Sequence, residues 1–306
     1  MSWVVDRRSA PVRYVDASMI RSTLRPMARW ARQRSERADR AITMAGARRT
    51  LARDPVLIFS MGKTGTTALA DAIRSSTGRP VLKAHALSAV GVASRMQKDQ
   101  RLELEDRPRF LWACTAIGDH LRSNPEHGWD VISGVRDPIA LAASDHFYGL
   151  QIQAELGVQP ERATTDMAAH AASVAAVLDE RFLALDWFEH ELRPVLGVDV
   201  YDVEFAHADG YTIIEQAGHR VLVSRAEDLP RVGATAMSRF FGLDQPPLLG
   251  RRNTGTGSDD DSLYARFLDR PALPTALVDA VYATPLARHF YTDTEREAFA
   301  RRWTRS

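Results

Sequence analysis

Cysteine is nearly absent from this sequence: Cys114 is the single one among 306 residues. One cysteine cannot form an internal disulfide framework or supply a cysteine-based zinc site, and its apolar neighbours favour a place in the core. Apolar runs of 18 or more residues are also absent, so no membrane-spanning helix is expected. The first residues lack the apolar segment of a secretory signal. These absences predict a protein of a reducing cytoplasm.

Lysine is missing from the first 53 residues, where arginine is abundant. Residues 1–53 contain 13 Arg and four acidic residues, a charge of +9, so the rest of the chain carries −8 within a net charge of +1. We expect an Arg-rich helical N-terminal arm over residues 1–53. It could pack on the remaining domain, lie on an anionic membrane surface or hold a polyanion. No recognised nucleic-acid-binding module accompanies it, so nucleic acid is not an expected partner.

Short apolar runs alternate with helix-forming segments in the rest of the chain. This alternation predicts one α/β domain over residues 54–306, with a mostly parallel central sheet flanked by helices and a helical C-terminal tail. Strands are predicted at 56–59, 79–85, 129–135, 198–201, 211–215 and 220–225. Helices are predicted at 88–106, 108–121, 139–150, 227–241, 262–268, 275–282 and 294–303. Over residues 166–196, two helices in series and one continuous helix both fit the sequence.

The stretch Val56–Leu69 has the pattern of a buried strand, a Gly/Thr-rich loop and a helix start. Such an arrangement directs backbone N–H groups at an anion, and Lys63 and three threonine hydroxyls add to it. We therefore predict a P-loop-like phosphate cradle. Its contributors are Gly62, Lys63, Thr64, Gly65, Thr66 and Thr67.

The loop lacks one glycine that a Walker A motif requires. Counting back from Gly62-Lys63-Thr64, that glycine would be residue 57, which is Leu57. An ATP-dependent P-loop kinase, with Lys63 and Thr64 on the phosphates and Mg²⁺ bound, is therefore disfavoured but stays an alternative. The order Lys-Thr-Gly-Thr-Thr at 63–67 instead resembles the sulfotransferase loop that holds the phosphosulfate of 3′-phosphoadenosine 5′-phosphosulfate (PAPS).

Two later segments resemble the parts of sulfotransferases that hold the 3′-phosphate of PAPS. Arg136 stands at a predicted strand end and Ser144 lies eight residues on, the same offset as the Arg and Ser of that family. A guanidinium offers forked donors to phosphate, and a hydroxyl can share the remaining oxygen. The pair Arg251 and Arg252, in a glycine-flanked loop, resembles the late basic loop that closes over the same phosphate. A solvated turn would explain this second pair equally well.

Lys83-Ala84-His85 resembles the Lys-x-His of sulfotransferases, in which the His takes the proton of the acceptor hydroxyl. An imidazole that titrates near neutrality suits general-base work. The resemblance implies a catalytic set of His85, Lys63 and Lys83, the lysines steadying the departing charge. His146 is the substitute candidate for the base.

A closer resemblance, to a bacterial group named for capsular polysaccharide synthesis, covers most of residues 54–306. It rests on segments listed here in chain order: 61–63, His85, 135–138, 184–192, 197–201, 227–229, 289–291 and Trp303. That group looks like a branch of the sulfotransferase superfamily. It implies transfer of a sulfuryl group from PAPS, without a metal, to a hydroxyl of a glycan or small molecule. A non-catalytic protein that binds a nucleotide or sulfated glycan is the remaining alternative.

Overall fold

The computed structural model describes residues 37–93, 108–155, 165–180, 185–250 and 259–305. The predictions for residues 1–36, for most of the helix at 88–106 and for Arg251 and Arg252 lie outside these ranges. Within the described part of the N-terminal arm, residues 37–51 form helix α1.

Five strands in the described ranges form one sheet with the order β2-β1-β3-β5-β4. Their bounds are β1 Val56–Phe59, β2 Val81–Ala84, β3 Asp130–Val135, β4 Tyr211–Gln216 and β5 His219–Arg225. Strands β2, β1, β3 and β5 are parallel, and β4 pairs antiparallel with β5 through a hairpin. The predicted mostly parallel sheet is confirmed.

Helices cover the sheet on both faces and form the C-terminal region. After α1 come α2 Thr66–Thr77, α3 Pro108–Ser123, α4 Pro138–Glu155, α5 Met167–Glu180, α6 (a π turn Phe188–Leu192 continued by Arg193–Leu196), α7 Leu229–Phe241, α8 Asp259–Asp269, α9 Thr275–Tyr282, α10 Pro285–Phe290 and α11 Asp293–Trp303. Among the described residues, none of these helices has the length and apolarity needed to cross a bilayer.

Strand β1 is buried on both faces because its alternate side chains enter two different cores. Val56 and Ile58 pack with helix α2, whereas Leu57 and Phe59 pack with helix α3 on the other face. A parallel strand between two helical layers needs this continuous apolar run. The carboxyl end of β1, where the Gly/Thr-rich loop begins, therefore lies between β2 and β3 in the middle of the molecule's layers.

One sequence prediction is wrong, and one helix was not predicted. No strand forms at 198–201: Val200–Asp202 is a 3₁₀ turn, and the Asp199 side chain accepts a hydrogen bond from the Tyr201 N–H. An Asp side chain offers the backbone this local alternative to a sheet ladder. Helix α10 was not predicted, although Thr284 caps it and Pro285 occupies its first turn, both ordinary start signals.

Candidate functional site

The Gly/Thr-rich loop ends at a helix N-terminus that has no side-chain cap. Gly65 is the N-cap residue with φ 79°, a left-handed conformation that suits glycine, and Lys63 is also left-handed with φ 63°. No acidic residue lies in the first turn of α2. The first N–H groups of a helix have no partner inside it, and its dipole favours an anion. Within the described structure, the loop therefore presents donors without supplying its own acceptor.

Thr64 holds the loop together from inside. Its buried hydroxyl donates to the Met61 carbonyl (3.0 Å) and lies 2.7 Å from the Ser60 hydroxyl. The Gly134 N–H of β3 donates to Ser60 Oγ at 3.0 Å. A Cβ at Gly134 would approach Thr64 Cβ to 2.8 Å, so this close contact requires glycine. The Thr64 hydroxyl therefore serves the loop, and only its backbone N–H can face an anion.

The other loop positions differ in exposure. Thr66 is buried and Gly65 is exposed, whereas Gly62 and Thr67 are half-buried at the loop surface.

Sequence reasoning missed Ser60, whose hydroxyl connects β1 to β3 through Gly134. Its position, a serine directly after an apolar strand and before a P-loop-like segment, could have indicated this role.

Two cationic side chains, those of Lys63 and Arg136, lie at the loop. Arg136 follows β3, and its Nη1 donates to the Lys63 carbonyl oxygen at 3.2 Å. The Lys63 ammonium lies 3.2 Å from the ring centroid of Tyr148 on α4. Ser144 is one helical turn before Tyr148, so it shares the face of α4 that reaches the loop. The structure thus brings Lys63, Arg136 and the Ser144 face of α4 together.

His85 lies beside the same loop, directly after β2. Its Nδ1 is 2.7 Å from the Ser60 carbonyl oxygen. A carbonyl can only accept, so Nδ1 carries the proton and Nε2 is the basic nitrogen of the neutral ring. The half-buried ring packs against Phe110 of α3, with centroids 5.5 Å apart.

The predicted Lys-x-His pair is not brought together. Lys83 pairs in register with Ile58 and shares its sheet face, which packs against α2. The His85 ring instead packs on Phe110, whose helix α3 covers the opposite face. Residues two positions apart on one strand share a face, but His85 follows the end of β2, where the chain bends.

His146, the substitute for the base, contacts another histidine. Its Nε2 is 3.0 Å from Nδ1 of the buried His170 on α5, and both rings pack against Phe147. These contacts direct His146 toward α5.

Residues 187–191 hold the segment that follows His85. The Trp187 indole N–H donates to the His85 carbonyl at 3.0 Å. The buried Glu191 carboxylate accepts from the N–H groups of Leu87 (2.8 Å) and Ser88 (2.9 Å). Both side chains lie in the segment 184–192, one of those on which the resemblance to the capsular polysaccharide group rests, but sequence reasoning assigned them no role.

A second polar cluster, here called the C-terminal anchor, adjoins the loop and is internally paired. It consists of Asp137, Glu227, Tyr282, Tyr291 and Trp303. Buried Asp137 accepts from Tyr282 Oη and from Trp303 Nε1, both at 2.8 Å, and its Oδ1 accepts from the Ile139 N–H, as expected for an N-cap. Burial raises the pKa of Asp137, and its hydrogen bonds from Trp303 and Tyr282 oppose that rise.

Glu227 connects the anchor to the residue after Arg136. It accepts from the Asp137 N–H at 2.8 Å and from Tyr291 Oη at 3.2 Å. Because these bonds join the carboxyl ends of β3 and β5 to helices α9–α11, the C-terminal region fixes the backbone next to Arg136.

A narrow cavity of about 20 Å³, room for about one water molecule, lies behind Arg136. Met61, Leu141 and Asp145 line it together with Leu185 and with apolar residues of α5 and α10.

Among the described residues, no group of three or more His, Cys, Asp or Glu side chains is placed to hold a metal ion. No protein-family model, curated protein or solved structure matches this chain. The residues themselves therefore carry the functional argument.

Proposed function

We propose that this protein is a PAPS-dependent sulfotransferase that transfers a sulfuryl group to a hydroxyl of a glycan or small molecule. The contact between Arg136 and the Lys63 carbonyl carries the proposal. It joins the end of β3 to the loop that leads into the uncapped N-terminus of α2, so that Arg136 lies at the same loop as Lys63 and the first N–H groups of the helix. A ligand with phosphates at two ends suits this arrangement.

The loop would hold the phosphosulfate end of the ligand. The N–H groups of residues 64–67 would bind oxygens of the 5′-phosphate, with the hydroxyl of Thr67 at the loop surface. The Lys63 ammonium would leave the Tyr148 ring for the bridging oxygen, because a full anion attracts it more than an aromatic face does. Arg136 and Ser144 would hold the 3′-phosphate, which ATP lacks.

His85 would act as the general base. Its Nε2 takes the proton of the acceptor hydroxyl while the acceptor oxygen forms a bond to sulfur. The bond between sulfur and the bridging oxygen breaks, and adenosine 3′,5′-bisphosphate leaves with its charge next to Lys63. Positioning and charge stabilisation provide the catalysis, as in phosphoryl transfer. Lys83 has no part in this mechanism because it lies on the α2 face of the sheet.

Thermal unfolding with adenosine 3′,5′-bisphosphate or with ATP plus Mg²⁺, at matched concentrations, tests the ligand. A compound that binds only the native state raises its apparent stability. We expect a shift with the bisphosphate that exceeds the shift with ATP–Mg²⁺. A shift with ATP–Mg²⁺ alone would favour the kinase alternative, and no shift with either would refute the proposed site.

Turnover of sulfur-labelled PAPS separates an enzyme from a binding protein. Transfer of label to added mono- and polysaccharides or phenols, dependent on His85, supports the proposal. Binding of the bisphosphate with no transfer to any acceptor would favour the non-catalytic alternative.

A further inference from the structure

The helical turn before Pro194 is widened. The Arg193 N–H bonds to the Phe188 carbonyl five residues back, which makes 188–192 a π turn. Pro194 has no N–H for the carbonyl of His190, and its ring would crowd that carbonyl in an α-helix. The proline thus accounts for the wider turn, and π turns are frequent at functional sites.

Trp187, directly before this turn, and Glu191 within it bind three backbone groups of the segment after β2. Trp187 fixes the His85 carbonyl, and Glu191 fixes the N–H groups of Leu87 and Ser88. Ser88 Oγ also donates to Glu191 Oε1 at 2.7 Å. Glu191 is 4% exposed, so the carboxylate is committed to these donors and excluded from solvent.

The chain closes tightly around this carboxylate at Gly91. A Cβ at that position would lie 1.6 Å from Glu191 Oε1, so a side chain there would displace the carboxylate from its donors. The Gly91 N–H donates to Ser88 Oγ at 2.9 Å, which completes the ring of contacts. Such a fully paired buried network imposes one conformation on the segment that carries His85.

We propose that Trp187 and Glu191 are positioning residues for His85. They hold the backbone after β2 where Nδ1–H can reach the Ser60 carbonyl, and that bond presents Nε2 as the proton acceptor. The role as base rests on the proposed function, whereas the fixed tautomer is a property of the ligand-free protein. A catalytic histidine needs this kind of support because its tautomer and ring orientation determine which nitrogen meets the substrate.

Nitrogen-15 NMR of the His85 ring in the ligand-free full chain tests the positioning directly. Comparison with His85→Asn assigns the signal, and the two nitrogen shifts report the tautomer. We expect protonated Nδ1 in the wild type and a mixture of tautomers in Trp187→Phe, which removes only the indole donor. Glu191→Ala should mix the tautomers further, and Glu191→Gln should restore the wild-type pattern because its carbonyl oxygen still accepts both N–H groups.

The matched control is Glu189→Ala, on the same turn but exposed, which should leave the tautomer unchanged. With PAPS, we expect Trp187→Phe to lower kcat about five- to tenfold and to keep the KM for PAPS within about twofold, as for loss of one hydrogen bond. If Glu191→Ala fails to fold, Trp187→Phe carries the test.

An unchanged tautomer in Trp187→Phe and in folded Glu191→Ala would overturn the positioning role, whatever the activity. One further outcome would distinguish the positioning role of Trp187 and Glu191 from the proposed sulfotransferase activity. Mixed tautomers in these variants, in a protein that neither binds the bisphosphate nor turns over PAPS, would keep the positioning role and refute the sulfotransferase.

Discussion

Two polar clusters lie side by side where strands β1, β3 and β5 end, and they differ in how their polar groups are used. At the loop site, formed by Lys63, His85, Arg136, Ser144 and the start of α2, the helix N-terminus has no side-chain cap in the described structure. In the C-terminal anchor, Asp137 and Glu227 accept from donors of α4, α9 and α11 and from Tyr291.

The difference favours the loop site over the anchor as the place where a ligand binds. A buried carboxylate with several internal donors is satisfied by the fold and stabilises it, whereas the first N–H groups of an uncapped helix are left for water or a ligand. Changes in the loop site should therefore alter binding or turnover at constant stability. Changes in the anchor should lower stability and should leave ligand contacts at the loop site in place.

The largest expected effect is on turnover. His85→Ala should lower kcat for PAPS by about 10²–10⁴-fold, the usual contribution of a general base, and leave the bisphosphate affinity and melting temperature nearly unchanged. His146→Ala is the matched control and should keep most of the rate. Full activity in His85→Ala with a loss in His146→Ala would transfer the base to α4.

The next effect concerns the stability of the anchor. Asp137→Ala leaves the donors of Tyr282, Trp303 and Ile139 without their acceptor, so we expect a loss of roughly 2–4 kcal/mol in the free energy of unfolding by urea titration. The exposed Asp119, in an i,i+3 pair with Arg122, supplies the control Asp119→Ala, which should change stability by less than about 0.5 kcal/mol. Equal losses in the two variants would remove the distinction between anchor and surface.

A somewhat smaller effect is expected on binding. Arg136→Ala should weaken adenosine 3′,5′-bisphosphate about 30- to 100-fold by calorimetry, as for loss of a charge-assisted contact, and weaken ATP much less. Arg136→Lys keeps the charge without the fork and should be intermediate. Arg122→Ala removes an exposed cation at the end of α3 as a control. Equal losses for the two nucleotides would remove the case for a 3′-phosphate site.

The smallest effect concerns His219, at the amino end of β5 and therefore at the opposite end of the strands from the loop site. His219 Nδ1 accepts from the Trp129 N–H at 3.2 Å, and burial, with a smaller contribution from His127, lowers its pKa below the ordinary 6.5. Below pH 6.5 the unfolded chain takes up a proton that the folded chain resists, so stability should fall as the pH falls.

His219→Asn keeps an acceptor but does not titrate, so its unfolding free energy should depend less on pH between 8 and 5 in urea titrations. The affinity for the bisphosphate at pH 8 should match that of the wild type. An identical pH dependence in the two proteins would show that His219 contributes nothing to it.

Much of the sheet could be predicted because its strands are short apolar runs followed by helix formers. Strands β1, β3 and β5 enter two cores each, so continuous apolar residues mark them regardless of the partners. The antiparallel direction of β4 and the 3₁₀ turn at Val200–Asp202 were missed. Both depend on local hydrogen bonding, the first on the hairpin at Ala217-Gly218 and the second on Asp199.

The candidate site divides in the same way. Loop residues that are close in sequence, such as Lys63 and Gly65, could be predicted as a phosphate cradle because such a cradle is a local backbone arrangement. Trp187 and Glu191 lie about a hundred residues from the segment that they hold, and no local pattern connects them to His85. Lys83 was grouped with His85 because Lys83-Ala84-His85 resembles a family motif, but the bend after β2 directs the two side chains to different faces of the sheet.

By itself the sequence determined the fold class, the uncapped loop after β1 and the presence of Arg136 at a strand end, because strand burial, helix starts and glycine conformations are set by residues a few positions apart. The tertiary structure decided which side chains meet. The Arg136 contact with Lys63, the Tyr148 ring under the ammonium, the tautomer of His85 and the support of Glu191 all depend on strand order and helix packing, which bring together residues far apart along the chain.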